Sequence, residues 1–188
     1  MRFFKSLFLC LFLTACFGGV SPQSNFYTLV AQKQTPLSVK ENAFIGIERM
    51  QIPKYLERPQ IVTQEAPQMI VSEYNRWIDT PSILCARVLV EDLSALLPNA
   101  QIKARSYGVE DFDKTLSVEV VRMDAVLGER VVLDAWFSIQ DADGKTLTRQ
   151  KFSATQAIGK TYDDLADGYS QLWSQFSQKI AKAIVSTK

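Results

Sequence analysis

TLSVEVVRMDAVLGERVVLDAWFSIQDADGKTLTRQKFSATQAI, residues 115–158, reads as three strands joined by two tight turns. Thr115–Val126, Val131–Gln140 and Thr146–Ile158 are rich in β-branched and aromatic residues. Leu116, Val118 and Val120, with Val132, Ala135, Phe137 and Ile139, carry much of their apolar content. Such runs, bounded by turn residues, are strand signals. Leu127-Gly128-Glu129 and Asp141-Ala142-Asp143-Gly144 are too short for a crossover, so the three strands are predicted to run antiparallel as successive hairpins. The second turn faintly resembles a calcium loop. Counting twelve positions from Asp141, however, reaches Phe152 where a calcium loop needs glutamate, and a hairpin turn accounts for the same residues.

Past this array, Thr161 followed by Asp164 resembles a capping box with Asp replacing Glu. Leu165, Tyr169, Leu172, Trp173, Phe176, Ile180 and Ile184 then recur at helical spacing. The stripe suits packing on the domain's own sheet, with a coiled-coil partner as the alternative. Toward the N-terminus, Ile102–Tyr107 reads as a further strand. Thr80-Pro81-Ser82 announces a helix through Ile83–Leu97, with a hydroxyl at the N-cap and proline at the first helical position. Arg87, Glu91 and Ser94 form its polar stripe, and Pro98-Asn99 stops it. Earlier still, Phe26–Val30, Phe44–Ile52, Gln60–Thr63 and Met69–Trp77 read as strands, the last two as a hairpin around Glu65-Ala66-Pro67. The predicted order is four strands, a helix, four strands, a helix. That describes an α+β fold: a mainly antiparallel sheet with two helices packed on one face, in a single domain.

The N-terminus carries an export signal. Arg2 and Lys5 precede the apolar run Leu7–Leu13, and Leu13-Thr14-Ala15-Cys16 closes it with small residues before a cysteine. The run falls well short of the roughly 20 residues a spanning helix needs. A signal cut at an ordinary site requires no cysteine next. The Leu-x-Ala-Cys ending looks like a bacterial lipobox, in which the thiol is acylated and cleavage leaves Cys16 first. The chain is therefore expected to divide into a signal peptide at 1–15, a lipidated Gly/Ser/Pro-rich tether at 16–25 and a domain at 26–188. Each buried methylene of an acyl chain contributes about 0.8 kcal/mol, and stable anchoring takes two membrane signals. A lipoprotein N-terminus with a diacylglyceryl group and an N-acyl chain supplies both.

Composition narrows the function. Cleavage leaves 188 − 15 = 173 residues and removes two cations and no acid, moving the formal charge from +1 to −1. Hydrophobic residues make up 47% of the chain, enough for a proper core. A near-neutral domain lacks the basic footprint of nucleic-acid binding. The chain has no histidine, which removes the commonest general base and the commonest metal ligand. Cys85 is the only thiol left after Cys16, so it can form neither an internal disulfide nor a thiolate zinc site. It reads as a small buried hydrophobe, with intermolecular pairing as the alternative. Asp163-Asp164 and Glu91-Asp92 are adjacent carboxylates on helices and do not read as a catalytic pair. Neither an enzyme activity nor a metal or cofactor site is expected.

The most unusual stretch is IPKYLERPQIVTQEAPQMIVSEYNRW, residues 52–77. A strand stop leads into a Pro-bounded loop carrying Tyr55 and Arg58, then the hairpin. Tyr55 and Trp77 could fill the core and Arg58 could be solvated. Alternatively the loop is a contact surface. Pro59 cannot donate a ladder hydrogen bond and so marks an edge, and Tyr and Arg are enriched at interface hot spots.

Several pieces together resemble the ABC-type transport auxiliary lipoprotein family, whose PqiC-like members serve paraquat-inducible MCE lipid-transport systems. They are the lipobox at Cys16, Phe26-Tyr27-Thr28-Leu29, Pro53-x-Tyr55-Leu56-x-Arg58-Pro59-Gln60-Ile61-Val62, Asn75-Arg76-Trp77 and Arg87-Val88-Leu89-Val90-Glu91-Asp92-Leu93. They keep order and spacing across roughly residues 13–98, with Ile78-Asp79-Thr80-Pro81 departing from the acidic and small residues the family more often has there. The resemblance implies a lipoprotein of the outer membrane, facing the periplasm. It would be a non-catalytic dock or conduit part for lipid moving between membranes. Its partners would be an MCE-domain membrane protein and further copies of itself, with Tyr55, Arg58 and Pro59 as the candidate contact. Phe17 stands where an inner-membrane retention signal would be aspartate, which favours outer-membrane sorting. A generic outer-membrane assembly lipoprotein, or a hydrolase using carboxylates, are the rival classes.

Overall fold

A computed structural model describes residues 22–39, 41–104 and 111–187. Cys16, the signal peptide expected at 1–15 and most of the tether expected at 16–25 lie outside the described residues, as does the end of the strand expected at 102–107. Eight strands and two helices follow in the order β1 (Asn25–Tyr27), β2 (Phe44–Ile47), β3 (Gln60–Glu65), β4 (Gln68–Trp77), α1 (Pro81–Leu96), β5 (Gln101–Ala104), β6 (Lys114–Val126), β7 (Arg130–Asp141), β8 (Thr146–Ala157) and α2 (Tyr162–Ser186). They form the α+β fold read from the sequence.

The hairpin array is as predicted: β6, β7 and β8 are antiparallel neighbours. Gly128 and Gly144 sit in the two turns at φ +79°, a left-handed conformation that favours glycine. Antiparallel pairing predominates as expected, but the single sheet needs correction. There are two sheets, β1-β4-β3 and β5-β2-β6-β7-β8, and both are mixed. β1 runs parallel to β4, and β2 lies parallel to both β5 and β6. Parallel neighbours are joined through long connections, so no turn residues advertise them.

The core lies between the helices and the larger sheet. Leu116, Val118, Val120, Leu133, Ala135, Phe137 and Ile139 are buried beneath α2, whose predicted apolar stripe is buried from Leu165 to Ile184. Phe176 is the hub, with ring centres 5.8 Å from Phe137, 5.0 Å from Phe152 and 5.5 Å from Trp173. Such contacts add to the transfer of apolar surface out of water. The capping box at the start of α2 is complete: the Asp164 amide donates to Thr161 Oγ1 at 3.1 Å, and the Thr161 amide donates to Asp164 Oδ2 at 3.0 Å. The Thr161 hydroxyl, which donates to Asp164 Oδ2 at 2.6 Å, and then the Thr161 amide hold the Asp164 carboxyl below its usual pKa. At α1 the expected hydroxyl cap does not form. Pro81 occupies the first turn as predicted, but the Thr80 side chain makes no cap hydrogen bond.

The first strand is shorter than the Phe26–Val30 reading because the chain leaves the sheet after Tyr27. Leu29 sinks into the core, and the following strap lies along both helices. The Val30 amide donates to Ser170 Oγ at 3.1 Å, Gln34 donates to Ser174 at 2.7 Å, and the Leu37 amide donates to the Leu96 carbonyl at 2.9 Å. From α1, Arg87 donates to Thr28 Oγ1 and the Leu29 carbonyl while pairing with Glu91 at 2.9 Å. Cys85 is fully buried in α1, as its apolar surroundings suggested, and burial pushes its thiol pKa up.

Candidate docking site

After β2 the chain makes one isolated bridge to β6, at Gln51 opposite Glu119, before Pro53 turns it outward. Successive tight turns then build the loop. The Leu56 amide donates to the Pro53 carbonyl at 2.9 Å, and the Arg58 amide donates to the Leu56 carbonyl at 2.7 Å. Leu56 is the buried anchor, and its burial turns Tyr55 and Arg58 to the surface.

Tyr55 is 40% exposed and its hydroxyl donates to Asp124 Oδ1 at 3.3 Å. Partial burial, and then the neighbouring Asp124 carboxylate, raise the phenol pKa. Asp124 belongs to a line of charge across the outer face of the larger sheet: Arg122 Nε lies 3.7 Å from it and 2.9 Å from Asp134. The loop is therefore fastened to β6 at Tyr55. Arg58 is exposed, and no described residue takes its guanidinium in an ion pair or hydrogen bond. That counts against an intramolecular ion pair holding the loop's shape. Exposed Pro59 introduces β3, and its carbonyl accepts from the Trp77 amide at 2.6 Å. The structure thus brings Tyr55, Arg58 and Pro59 to one surface.

Trp77 behaves differently. It is 5% exposed, with its ring centre 6.4 Å from that of Tyr169, so it is a core residue. Asn75 ties the sheet beside it. Its side chain accepts from Asn25 at 3.1 Å and from the Tyr27 hydroxyl at 3.2 Å, while its amide donates to Ser72 Oγ. The Ser72 contact closes a bulge in β4, whose register against β3 shifts between Gln60 and Val62.

Sequence reading missed Asp92. It is fully buried, and neither carboxylate oxygen accepts a well-formed hydrogen bond from a described residue. Burial is the largest influence and raises its pKa, against smaller opposing effects from Gln34, Ser177 and the Gln32 backbone. Its place in the strongly apolar α1 was the available signal. No group of described residues has the makeup of a metal site, and no described helix is long and apolar enough to cross a membrane.

These features define an α+β domain with a braced surface loop. Residues 27–181 match the family described as ABC-type transport auxiliary lipoprotein component, and the chain belongs to that family. A search of curated proteins gave no match. Among solved structures, an uncharacterised protein is similar at 23% identity and TM-score 0.73, covering 87% of this chain and 99% of its own. A protein from Xanthomonas campestris is similar at 12% identity and TM-score 0.73, covering 87% of this chain and 96% of its own. A PelC dodecamer from Paraburkholderia phytofirmans is more distant, at 10% identity and TM-score 0.50 over 81% of this chain and 96% of that one. At these identities the likeness is one of fold.

Proposed function

We propose that this transport auxiliary lipoprotein is the outer-membrane component of an MCE/ABC-type intermembrane lipid transport system. In this reading residues 1–15 are removed and the Cys16 acyl chains hold the protein to the outer membrane. Residues 16–25 tether the domain at 26–188, which faces the periplasm. The protein acts as a dock or conduit part, without catalysis, cofactor or nucleic acid. Its partners are an MCE-domain membrane protein and further copies of itself. The PelC relative, a dodecamer, is an instance of the fold in an assembly.

The observation that carries the docking surface is exposed Arg58, without a partner among the described residues, on a loop braced by Leu56 and Tyr55. A pre-ordered loop loses little conformational freedom on binding, and an exposed arginine on the same loop as a half-exposed tyrosine has hot-spot composition. Arg58→Glu tests it. The expected result is a folded, acylated protein with unaltered melting that no longer co-purifies with its MCE partner or self-associates. If melting falls first and assembly fails only as a consequence, the loop is structural. If melting, assembly and detergent resistance of the cells all stay intact, the docking surface lies elsewhere. Loss of an outer-membrane assembly factor, with the MCE protein untouched, would favour a scaffolding lipoprotein.

A further inference from the structure

The larger sheet ends on β8, a strand of 12 residues that pairs with β7 on one side and with no described strand on the other. Register decides which backbone groups face its free side. The Val120 amide donates to the Gln51 carbonyl at 2.8 Å, and the Gln51 amide donates to the Val118 carbonyl at 3.0 Å. Val118 and Val120 therefore turn their groups toward the β2 side, and Glu119 between them turns its own toward β7. Glu119 stands opposite Trp136, and Trp136 stands opposite Lys151. Because hydrogen-bonded and non-hydrogen-bonded pairs alternate in antiparallel ladders, Lys151 presents its N–H and C=O to the free edge. Arg149, Ser153 and Thr155 do the same.

A long open edge is a template for another strand unless something blunts it. Here the blunting is removable. From α2, Lys179 Nζ donates to the Lys151 carbonyl at 2.7 Å, a contact at the solvent surface. Lys179 and Lys182 line a groove of about 330 Å³ between α2 and β8, together with Gln150, Gln175 and Gln178. On the outer face, exposed Arg149 lies 5.2 Å over the Trp136 ring and 3.5 Å from Glu119, and Lys151 is exposed. The edge is thus flanked by cations on both faces, although the whole chain is near neutral.

We propose that the free edge of β8 is a strand-addition site for an acidic, extended segment of a partner protein. Backbone hydrogen bonds along the edge would supply the binding, and alternate acidic side chains would meet Arg149 and Lys151 on one face and Lys179 and Lys182 on the other. A second copy of this chain is the poorer occupant, because pairing β8 with β8 brings the same cations together. The site lies on the opposite end of the larger sheet from β5 and is separate from the Tyr55–Arg58 loop.

The test uses the folded, acylated protein in detergent and a fluorescent peptide matched in length to β8, alternating glutamate with valine. Fluorescence anisotropy should show binding that weakens with salt and falls about tenfold or more in the double variant Arg149→Glu, Lys151→Glu. N-methylation of alternate peptide amides should weaken it comparably without touching the protein. Hydrogen exchange should show peptide-dependent protection of the Arg149, Lys151, Ser153 and Thr155 amides. The proposal is overturned if the acidic peptide fails to bind, or if the N-methylated peptide binds equally well, since charge alone would then explain the contact. Protection of those amides before peptide is added, or dimerisation through β8, would equally overturn it.

Discussion

Phe176→Ala probes the joint on which the domain depends. Phe176 is fully buried, and its ring is held by Phe137, Phe152 and Trp173 at 5.8, 5.0 and 5.5 Å. Truncating a buried Phe costs about 3–5 kcal/mol, from lost transfer energy and the cavity left behind. Loss of three ring contacts, each contributing about 0.5–1.5 kcal/mol, places this case near the upper end, at about 4–5 kcal/mol. A domain of this kind has a total stability of about 5–15 kcal/mol, so the variant gives up about a quarter of it or more. At about 2–4 °C per kcal/mol for a chain of this size, Tm should fall by roughly 8–20 °C. Urea unfolding followed by circular dichroism checks the same quantity: the midpoint should drop with little change in slope. Exposed Gln175→Ala, one position away on α2, is the control and should leave the midpoint unmoved. If Phe176→Ala melts with that control, the apolar face of α2 does not hold the sheet, and the core assigned to it is wrong.

Gly168→Ala sets two effects against each other. Alanine gains about 1 kcal/mol of helix propensity, but its Cβ would collide with Ile158 Cγ2 and stand 3.0 Å from Val131 Cγ2. Overpacking costs about 1–3 kcal/mol, so the expected result is a net loss, read as a lower urea midpoint. Asp92→Asn should stabilise the domain at neutral pH. Burial raises the folded-state pKa of Asp92, so its contribution is fully present below the unfolded value and is lost as pH rises through the folded one. Thermal melts of the two proteins should therefore differ at pH 7 and converge as pH falls toward the ordinary carboxyl range. Cys16→Ser should abolish fatty-acid labelling and leave the precursor uncleaved by the lipoprotein peptidase, with undiminished label as the contrary result.

The sequence exposed what local rules encode. The hairpins from Thr115 onward show themselves because Gly128 and Gly144 punctuate alternating strands, and α2 shows itself through its stripe and the Thr161–Asp164 box. The pairing of β2 between β5 and β6 left no such mark, since parallel neighbours meet through distant segments with no turn of their own. Polar residues with two roles were equally opaque. Arg87 reads as part of a polar stripe with Glu91, yet it also holds Thr28 and Leu29, a contact with no periodicity to betray it. Of the loop, proline and tight spacing made an exposed turn readable. The choice between core and surface was not: Trp77 went inward under β4, while Tyr55 stayed half outside against Asp124. Both are aromatics near prolines, and only the fold separates them.

The docking role is tested most directly by placing a photo-crosslinking amino acid at Arg58 and irradiating intact cells. Adducts are then recovered from the outer-membrane fraction. The expected product joins this chain to an MCE-domain protein or to a second copy of itself, and it should be absent when the crosslinker replaces exposed Ser94 on α1. A folded, acylated protein in the outer membrane that gives no such adduct from position 58 would contradict the docking role.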